Sequence, residues 1–290
     1  IKGWIRAMTS EKKATIWNKD FILLLIVNAF VFISMHMLST TIAKFSMMLS
    51  GTESVAGMVV GSFSICSIIA RPVSGNLIDQ KNKKKIYMLS LVIILAGILG
   101  YSISKSNIML VLFRLVHGVG WGFATTIGMA IASDTAPEEK VGECVSVYGL
   151  ANVLAMALAP NLGLIISEKF GYPAMFLTAA AFVVCGIITL SRVKERPVRK
   201  DVYERSQKIS IDNLLLKEAV FPALVLLLSG MAYNAVTTFL VVYAQGVGID
   251  KPSLFFTVYS VVILFVRLTS GRIVDKKGPD YIIVPSGFFF

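Results

Sequence analysis

The chain has 290 residues, of which 56% are hydrophobic and only 16% charged, and its formal net charge is +11. A soluble domain ordinarily carries about 25% charged residues, so this composition excludes a globular protein with an ordinary charged surface. The basic excess does not indicate a nucleic-acid partner, because the Lys and Arg residues cluster in short segments between long apolar runs. The composition therefore predicts an integral membrane protein that binds no nucleic acid.

Eight apolar runs follow one another along the chain, each near the ~20 residues that a helix needs to cross a bilayer. They are Phe21–Ala43, Val55–Ile78, Ile86–Ile103, Ile108–Ala132, Val145–Ile166, Ala174–Leu190, Val220–Ala244 and Leu254–Ile273, and a ninth begins at Tyr281. Irregular loops and open sheet edges leave backbone groups unsatisfied in lipid, so these runs should be helices. The sequence predicts an all-α membrane protein with about eight and a half helices.

Positive charge is concentrated in alternate connections between the runs. These are the polar first twenty residues, the segment Lys81–Lys85, the segment Arg192–Lys217, and Arg272 with Lys276 and Lys277. The opposite connections are short and nearly neutral, which by the positive-inside rule places the basic side in the cytoplasm. We expect a multi-pass plasma-membrane protein with a cytoplasmic N-terminus, inserted through its first span rather than a cleaved signal peptide.

The segment Val193–Asp212 is the one extended polar stretch between apolar runs. It divides the chain into a six-helix unit at residues 1–192, a cytoplasmic basic linker at 193–215, and the start of a second unit at 216–290, with spans seven, eight and part of nine. Such a charge-rich stretch is more often a solvated linker than a site for anionic lipids.

A repeat joins the two units. The sequence ARPVSGNLIDQKNKK at residues 70–84 ends the second span, and VRLTSGRIVDKKGPD at 266–280 ends the eighth. At a constant offset of 196 positions, the identities include Arg71 with Arg267, Ser74 with Ser270, Gly75 with Gly271, and Asp79 with Asp275. Parallel repeats of this kind build many secondary transporters.

The first copy resembles the signature loop of the major facilitator superfamily at Gly75, Leu77, Asp79, Lys83 and Lys84. Gln80 and Asn82 depart from that pattern, and the second copy restores it with Gly271, Asp275, Lys276 and Gly278. The resemblance implies the major facilitator fold, two parallel six-helix halves, so that about three and a half helices would follow residue 290. It also implies transport by alternating access, with the site between the halves.

The resemblance implies that both copies form a cytoplasmic gate. Its candidate residues are Arg71, Gly75, Asp79, Lys83, Lys84, Arg267, Gly271, Asp275 and Lys276. A carboxylate at a helix end can bind a basic group or a helix N-terminus in one state and lose it in another. The alternative is a solvated residue that only fixes topology.

The fourth span contains RLVHGVGWG, which resembles a family motif with an Arg and a following Gly. Arg114, His117 and Trp121 recur at three- to four-residue intervals and therefore share one helix face. An Arg at mid-bilayer costs ~2.5–3.5 kcal/mol on insertion scales, so its guanidinium should face a polar cavity, an acid or helix carbonyls. The alternative is an Arg that reaches back to the interface.

Other polar residues within apolar runs are candidates for the substrate path. Together with Arg114, His117 and Trp121, they are Asn28, His36, Asn152, Tyr233 and Asn234. The alternative for each is a hydrogen bond between helices.

The eight complete spans contain no Asp or Glu well inside them. A coupled proton would therefore have to bind an acid near a helix end, a His, or a group in later helices. We find no phosphate-binding loop, metal-ligand spacing or catalytic constellation, and so predict no enzyme activity, no cofactor and no metal site.

The segment Ala159–Gly163 resembles the Gly-Pro motif of exporters, although Ala159 replaces a glycine. The resemblance therefore implies export of a small organic solute in exchange for protons, and we also expect a monomer. The alternatives are import of a metabolite or an organic anion, for which Arg114 could bind a carboxylate, and a sensor or receptor on the same scaffold that does not transport.

Overall fold

A computed structural model describes residues 15–50, 52–194, 220–232 and 253–289. Four helices come first: α1 Lys19–Ser50, α2 Glu53–Gln80, α3 Lys83–Ile103 and α4 Asn107–Thr135. A 3-10 turn at Glu138–Lys140 leads into one helical segment, Val141–Ser191. Later in the chain come α7 Val220–Ala232, α8 Ser253–Lys277 and α9 Asp280–Phe289.

Gly171 divides the segment Val141–Ser191 into two helices, α5 at residues 141–170 and α6 at 172–191. Its φ of 83° and ψ of 166° are not helical. A positive φ of this kind is accessible to glycine because it has no Cβ. The chain turns here, between the predicted fifth and sixth spans, as the segment Gly171-Tyr172-Pro173 indicates.

The first six predicted spans are confirmed as helices. Within the described residues, six segments are long and apolar enough to cross a membrane; four lie in α1 to α4, and two lie in residues 138–191. Several of the helices extend past the apolar runs; α1, for example, continues to Ser50. The all-α prediction holds for the described part of the chain.

The first six helices form one bundle. The α1 helix packs against both α5 and α6, and α4 packs between α2 and α3. Glycines allow close approach: a Cβ on Gly118 of α4 would clash with the Phe63 carbonyl oxygen of α2, and one on Gly163 of α5 would lie 2.7 Å from the Met37 oxygen of α1. Small residues at crossings let membrane helices gain van der Waals contact.

The α8 helix of the predicted second unit packs against α5 of the first. The predicted linker at 193–215 lies almost wholly outside the described residues, so the domain division stays a prediction. The α8 helix, which ends in the second copy of the repeat, nevertheless packs on the same bundle whose α2 helix ends in the first copy.

Candidate functional site

The ends of five helices, α3, α4, α5, α6 and α8, meet at one end of the bundle. We call it the basic end and define it by Lys83, Lys84, Asp134, Ser191 and Asp275. Lys83 Nζ lies 2.6 Å from Asp134 Oδ2 at the end of α4. Lys84 Nζ donates to the carbonyl oxygens of Ser191 and Val193, at 2.9 and 2.6 Å. A cation is favourable at a helix C-terminus because the last carbonyls lack partners within the helix. The two lysines thus connect α3 to α4 and α6 inside the first unit.

Asp275, near the end of α8, contacts the beginning of α5. Its Oδ1 accepts a hydrogen bond from the Gly142 backbone N–H at 2.8 Å, and its Oδ2 accepts one from the Glu143 N–H at 2.9 Å. The first N–H groups of a helix have no acceptor within the helix. The Asp275 carboxylate therefore caps α5 from a distant part of the sequence, where the helix dipole also favours a negative charge.

Two further contacts hold α8 against α5. Arg272 Nε donates to Glu143 Oε1 at 3.1 Å. Gly271 lies so close to α5 that an added Cβ would be 2.6 Å from the Gly142 oxygen and 2.7 Å from the Glu143 Cα. The backbones of the two helices touch at this point, so the carboxylate of Asp275, one turn further along, can reach the first N–H groups of α5.

The two copies of the repeat have different surroundings. An added Cβ on Gly75 would meet nothing within 4 Å, whereas one on Gly271 would clash with backbone. Arg71 and Lys276 are exposed, and Asn82 caps α3 by accepting from the Lys85 N–H at 3.1 Å. The side chains of Asp79 and Arg267 lie outside the described residues. At the second copy, the structure describes a contact between helices of the two predicted units. The gate itself stays a prediction.

A second cluster lies in the middle of the bundle, between α1, α4 and α5. His36 Nε2 lies 2.8 Å from Asn152 Oδ1, which connects α1 to α5. The His36 ring stacks with Phe32 at 6.2 Å, and Phe32 meets Trp121 edge-to-face at 5.1 Å. His36, Phe32 and Asn152 are each partly exposed. We call these four residues the central cluster, which offers an aromatic wall beside a polar pair.

Arg114 lies between α4 and α2, beside Phe63, whose ring centre is 6.2 Å from that of Trp121 in the central cluster. Its Nε donates to the Val59 carbonyl at 3.3 Å and its Nη2 to the Val60 carbonyl at 3.2 Å. The guanidinium carbon lies 4.5 Å from the centre of the Phe63 ring, and only 2% of the residue is exposed. The sequence predicted a polar cavity, an acid or helix carbonyls as the surroundings of the guanidinium, and the structure shows helix carbonyls. Arg114 is fully desolvated and does not reach back to the interface.

His117 is buried beside Arg114. Its Nδ1 lies 2.9 Å from the Tyr101 hydroxyl of α3, and its ring meets Phe63 edge-to-face at 5.1 Å. A Cβ added to Gly97 would lie 2.8 Å from the His117 Cβ, so α3 and α4 are in close contact here. His117 is 1% exposed. The predicted face of α4 is thus divided, with Trp121 in the central cluster and His117 inside the packing.

Asn28 forms a hydrogen bond between helices, as its alternative interpretation proposed. Its Nδ2 donates to the Tyr148 carbonyl of α5 at 2.9 Å, and the residue is buried. Tyr233 and Asn234 lie outside the described residues. Of the predicted path residues, the structure brings His36, Trp121 and Asn152 together, and it places Asn28, Arg114 and His117 in helix packing.

Sequence reasoning did not select the partners Phe63, Tyr101 and Gly142. The aromatic pair has no signal in the sequence, because aromatic residues are ordinary in apolar spans. Gly142 gives a weak signal, since it stands at the start of a span beside the edge acid Glu143. Both groups become recognisable only when their helices are packed.

The comparisons with known proteins agree on the family. The model described as Major Facilitator Superfamily matches residues 24–290. The chain is 26% identical over 254 residues to multidrug resistance protein MdtG of a Rahnella species, covering 81% of this chain and 60% of that protein. It is 28% identical over 118 residues to multidrug resistance protein 3 of Bacillus subtilis, covering 41% and 23%. The chain thus spans 60% or less of these relatives.

Solved structures show the same fold. The human organic anion transporter MFSD10 (TETRAN) matches with a TM-score of 0.67 at 16% identity, covering 89% of this chain and 73% of that one. A double-tryptophan mutant of XylE matches with a TM-score of 0.64 at 16% identity, covering 89% and 69%. At this identity the likeness concerns architecture alone, which agrees with the helical bundle described above.

Proposed function

The chain belongs to the major facilitator superfamily, and on that premise we propose that it is part of a secondary transporter that exports small organic compounds in exchange for protons. The family works in the lipid bilayer on small molecules. We further propose the plasma membrane as its location, the basic end as its cytoplasmic end, and a monomer as its working form.

The observation that carries the proposal is the contact of Asp275 with the start of α5. It joins the second repeat to the first bundle through two backbone hydrogen bonds and one ion pair, all of them at the basic end. These contacts are polar and at least partly exposed, so they can break without leaving a large unsatisfied surface. A transporter that alternates between two openings needs a contact of this kind at each end.

The central cluster supports a substrate with an aromatic or apolar body. Phe32 and Trp121 supply ring surface, while His36 and Asn152 supply polar atoms beside it. Binding pockets commonly combine an apolar wall with a few placed polar groups. The hypothesis of organic-anion import relied on Arg114, whose guanidinium donates to α2 carbonyls, so we propose an uncharged or cationic substrate.

Two of the relatives are named multidrug resistance proteins, which supports the same direction of transport. The partial Gly-Pro motif at Ala159–Gly163 agrees with it, because Pro160 lies inside α5 of the structure. A proline within a helix removes one backbone hydrogen bond and bends the helix. Pro160 lies in the helix that also carries Asn152 and Gly142.

The proposal can be tested with ethidium as the probe. Cells expressing the full-length protein should accumulate less ethidium than cells with an empty vector, and an uncoupler of the proton gradient should abolish the difference. In inverted vesicles, a proton gradient with the acid side inside the vesicle should drive ethidium uptake. Higher accumulation in the expressing cells would support the importer instead, and no movement in either direction with a panel of cationic and neutral dyes would support a sensor.

A further inference from the structure

We propose that His36 is the residue that takes up and releases the coupled proton, and that Asn152 positions its imidazole. This assignment rests on the proposed function, since it names the coupling residue of the same transport cycle. It depends on four observations: the chemistry of the spans, the hydrogen bond to Asn152, the accessibility of the ring, and the course of α5.

The spans offer few groups that could exchange a proton near neutral pH. Acidic side chains in the described spans lie close to helix ends, as Asp20, Asp134, Glu143 and Glu168 do. Histidine is the side chain whose ordinary titration falls between pH 5 and 8. The chain contains two histidines, His36 and His117.

The two histidines differ in their surroundings. His117 is fully buried, contacts Tyr101 and Phe63, and lies one helical turn from the positive charge of Arg114. A second positive charge there would be repelled and desolvated. His36 is partly exposed and stacks with Phe32. A proton from a water-filled path can therefore reach His36 more easily than His117.

The hydrogen bond to Asn152 determines which nitrogen accepts the proton. With Oδ1 of the amide facing the ring, Nε2 carries the hydrogen and donates it across the 2.8 Å contact. The lone pair of the neutral ring is then on Nδ1. Uptake places a proton from water on Nδ1 and gives an imidazolium, and release returns that proton from Nδ1 to water on the other side.

The helices packed against α1 carry few other titratable groups well inside their spans. In the described residues they are Cys66 and Arg71 on α2, Arg114 and His117 on α4, Cys144 and Tyr148 on α5, and Tyr172 and Cys185 on α6. In the described part of the chain, the side-chain hydrogen bond of His36 goes to Asn152 and its ring contact to Phe32. No described ion pair holds His36 in one charge state, so its proton can leave.

The course of α5 connects His36 to the basic end. Asn152 and Gly142 lie on this one helix, ten residues and therefore about 15 Å apart. A helix transmits a displacement as a rigid element. A change of charge at His36 alters the force on Asn152, and the same helix presents the N–H groups that Asp275 binds. Protonation and the contact at the basic end are thus mechanically linked.

The assignment is tested by ethidium-induced proton release from the purified full-length protein in weakly buffered detergent. The wild type should release about one proton per ethidium bound. At ethidium concentrations that saturate each variant, His36→Asn and His36→Gln should release none. In proteoliposomes, the ratio of gradient-driven ethidium accumulation to ethidium exchange without a gradient should fall at least tenfold in both variants. Thermal unfolding curves will identify a variant that does not fold.

A second variant keeps His36 and changes its neighbour. Asn152→Asp places a carboxylate beside the ring, which favours the imidazolium, so the midpoint of proton release should move to higher pH by about one unit or more. Asn107→Asp adds the same charge at the far end of α4 and should leave the midpoint unchanged.

The outcomes separate the two proposals. If the wild type is driven by the gradient and both His36 variants still release a proton, the assignment is wrong and the proposed function stands. An unchanged pH midpoint in Asn152→Asp also contradicts the assignment. If the wild type shows neither gradient-driven movement nor proton release, the proton-coupled function is wrong and the assignment falls with it.

Discussion

The carboxylate of Asp275 accepts a hydrogen bond from the backbone N–H of Gly142 at 2.8 Å, across 133 positions of the sequence. The neighbouring Glu143 N–H donates to the other carboxylate oxygen. A side chain on α8 therefore replaces the capping residue of α5, since Lys140 at the N-cap position makes no side-chain capping bond. One carboxylate thus contributes both to helix capping and to the contact between α8 and the first bundle.

The first prediction concerns this carboxylate. Asp275→Asn removes the negative charge and leaves one oxygen for two N–H donors. A charge at a helix N-terminus is worth ~0.3–2 kcal/mol, so the equilibrium between the closed and open states at the basic end should shift away from the closed state by up to about thirtyfold. We expect ethidium transport to fall several-fold while the thermal unfolding midpoint changes little.

A matched control is Asp280→Asn, five residues further on, where the side chain is exposed at the start of α9. It should transport at the wild-type rate. Equal rates for Asp275→Asn and wild type would reduce Asp275 to a residue that only fixes topology.

The second prediction concerns the crossing of α8 and α5. Gly271→Ala places a Cβ 2.6 Å from the Gly142 oxygen and so forces the helices apart. We expect a several-fold loss of transport and easier modification of a single cysteine at Ser146, which also faces this crossing. Gly57→Ala in α2 is the control, because its Cβ meets nothing within 4 Å. Helix propensity alone would make either variant more stable by about 1 kcal/mol, so a loss confined to Gly271→Ala isolates the steric effect.

The third prediction concerns Arg114. Because its guanidinium donates to two α2 carbonyls and covers Phe63, Arg114→Ala should loosen α2 from α4. Hydrogen bonds between membrane helices contribute ~0.6–1.7 kcal/mol, and the vacated volume adds to that loss. We expect a lower unfolding midpoint, measured by tryptophan fluorescence, and an upward shift by ethidium equal to that of wild type. Loss of the ethidium shift in a folded Arg114→Ala would place Arg114 in the substrate site.

The fourth prediction concerns orientation. In a background without Cys66, Cys144 and Cys185, an impermeant maleimide should label Lys105→Cys in intact cells. It should label Lys276→Cys only after the membrane is opened. Both positions are exposed, so accessibility depends on the side of the membrane. Labelling of Lys276→Cys from outside would reverse the topology predicted from loop charge.

The sequence by itself determined the class of the fold and the position of its helices. A run of some 20 apolar residues in lipid forms a helix, because a helix satisfies its own backbone hydrogen bonds. The six spans before residue 192 are helices at the positions that hydrophobicity predicted. The break at Gly171 also depends on the local sequence, because glycine readily adopts a positive φ. The repeat could also be read directly, since its identities recur at a constant offset.

Only the tertiary structure decided what the polar residues contact. Asn28, His36, Arg114 and His117 look alike in sequence, each a polar group in an apolar run. Packing assigned Asn28 to the Tyr148 carbonyl, Arg114 to α2, and His36 to Asn152. The same holds for the repeat, whose two glycines are identical in sequence while only Gly271 touches a neighbouring backbone. Hydrophobicity acts along each span, whereas these contacts depend on the relative rotation and register of helices that are far apart in the chain.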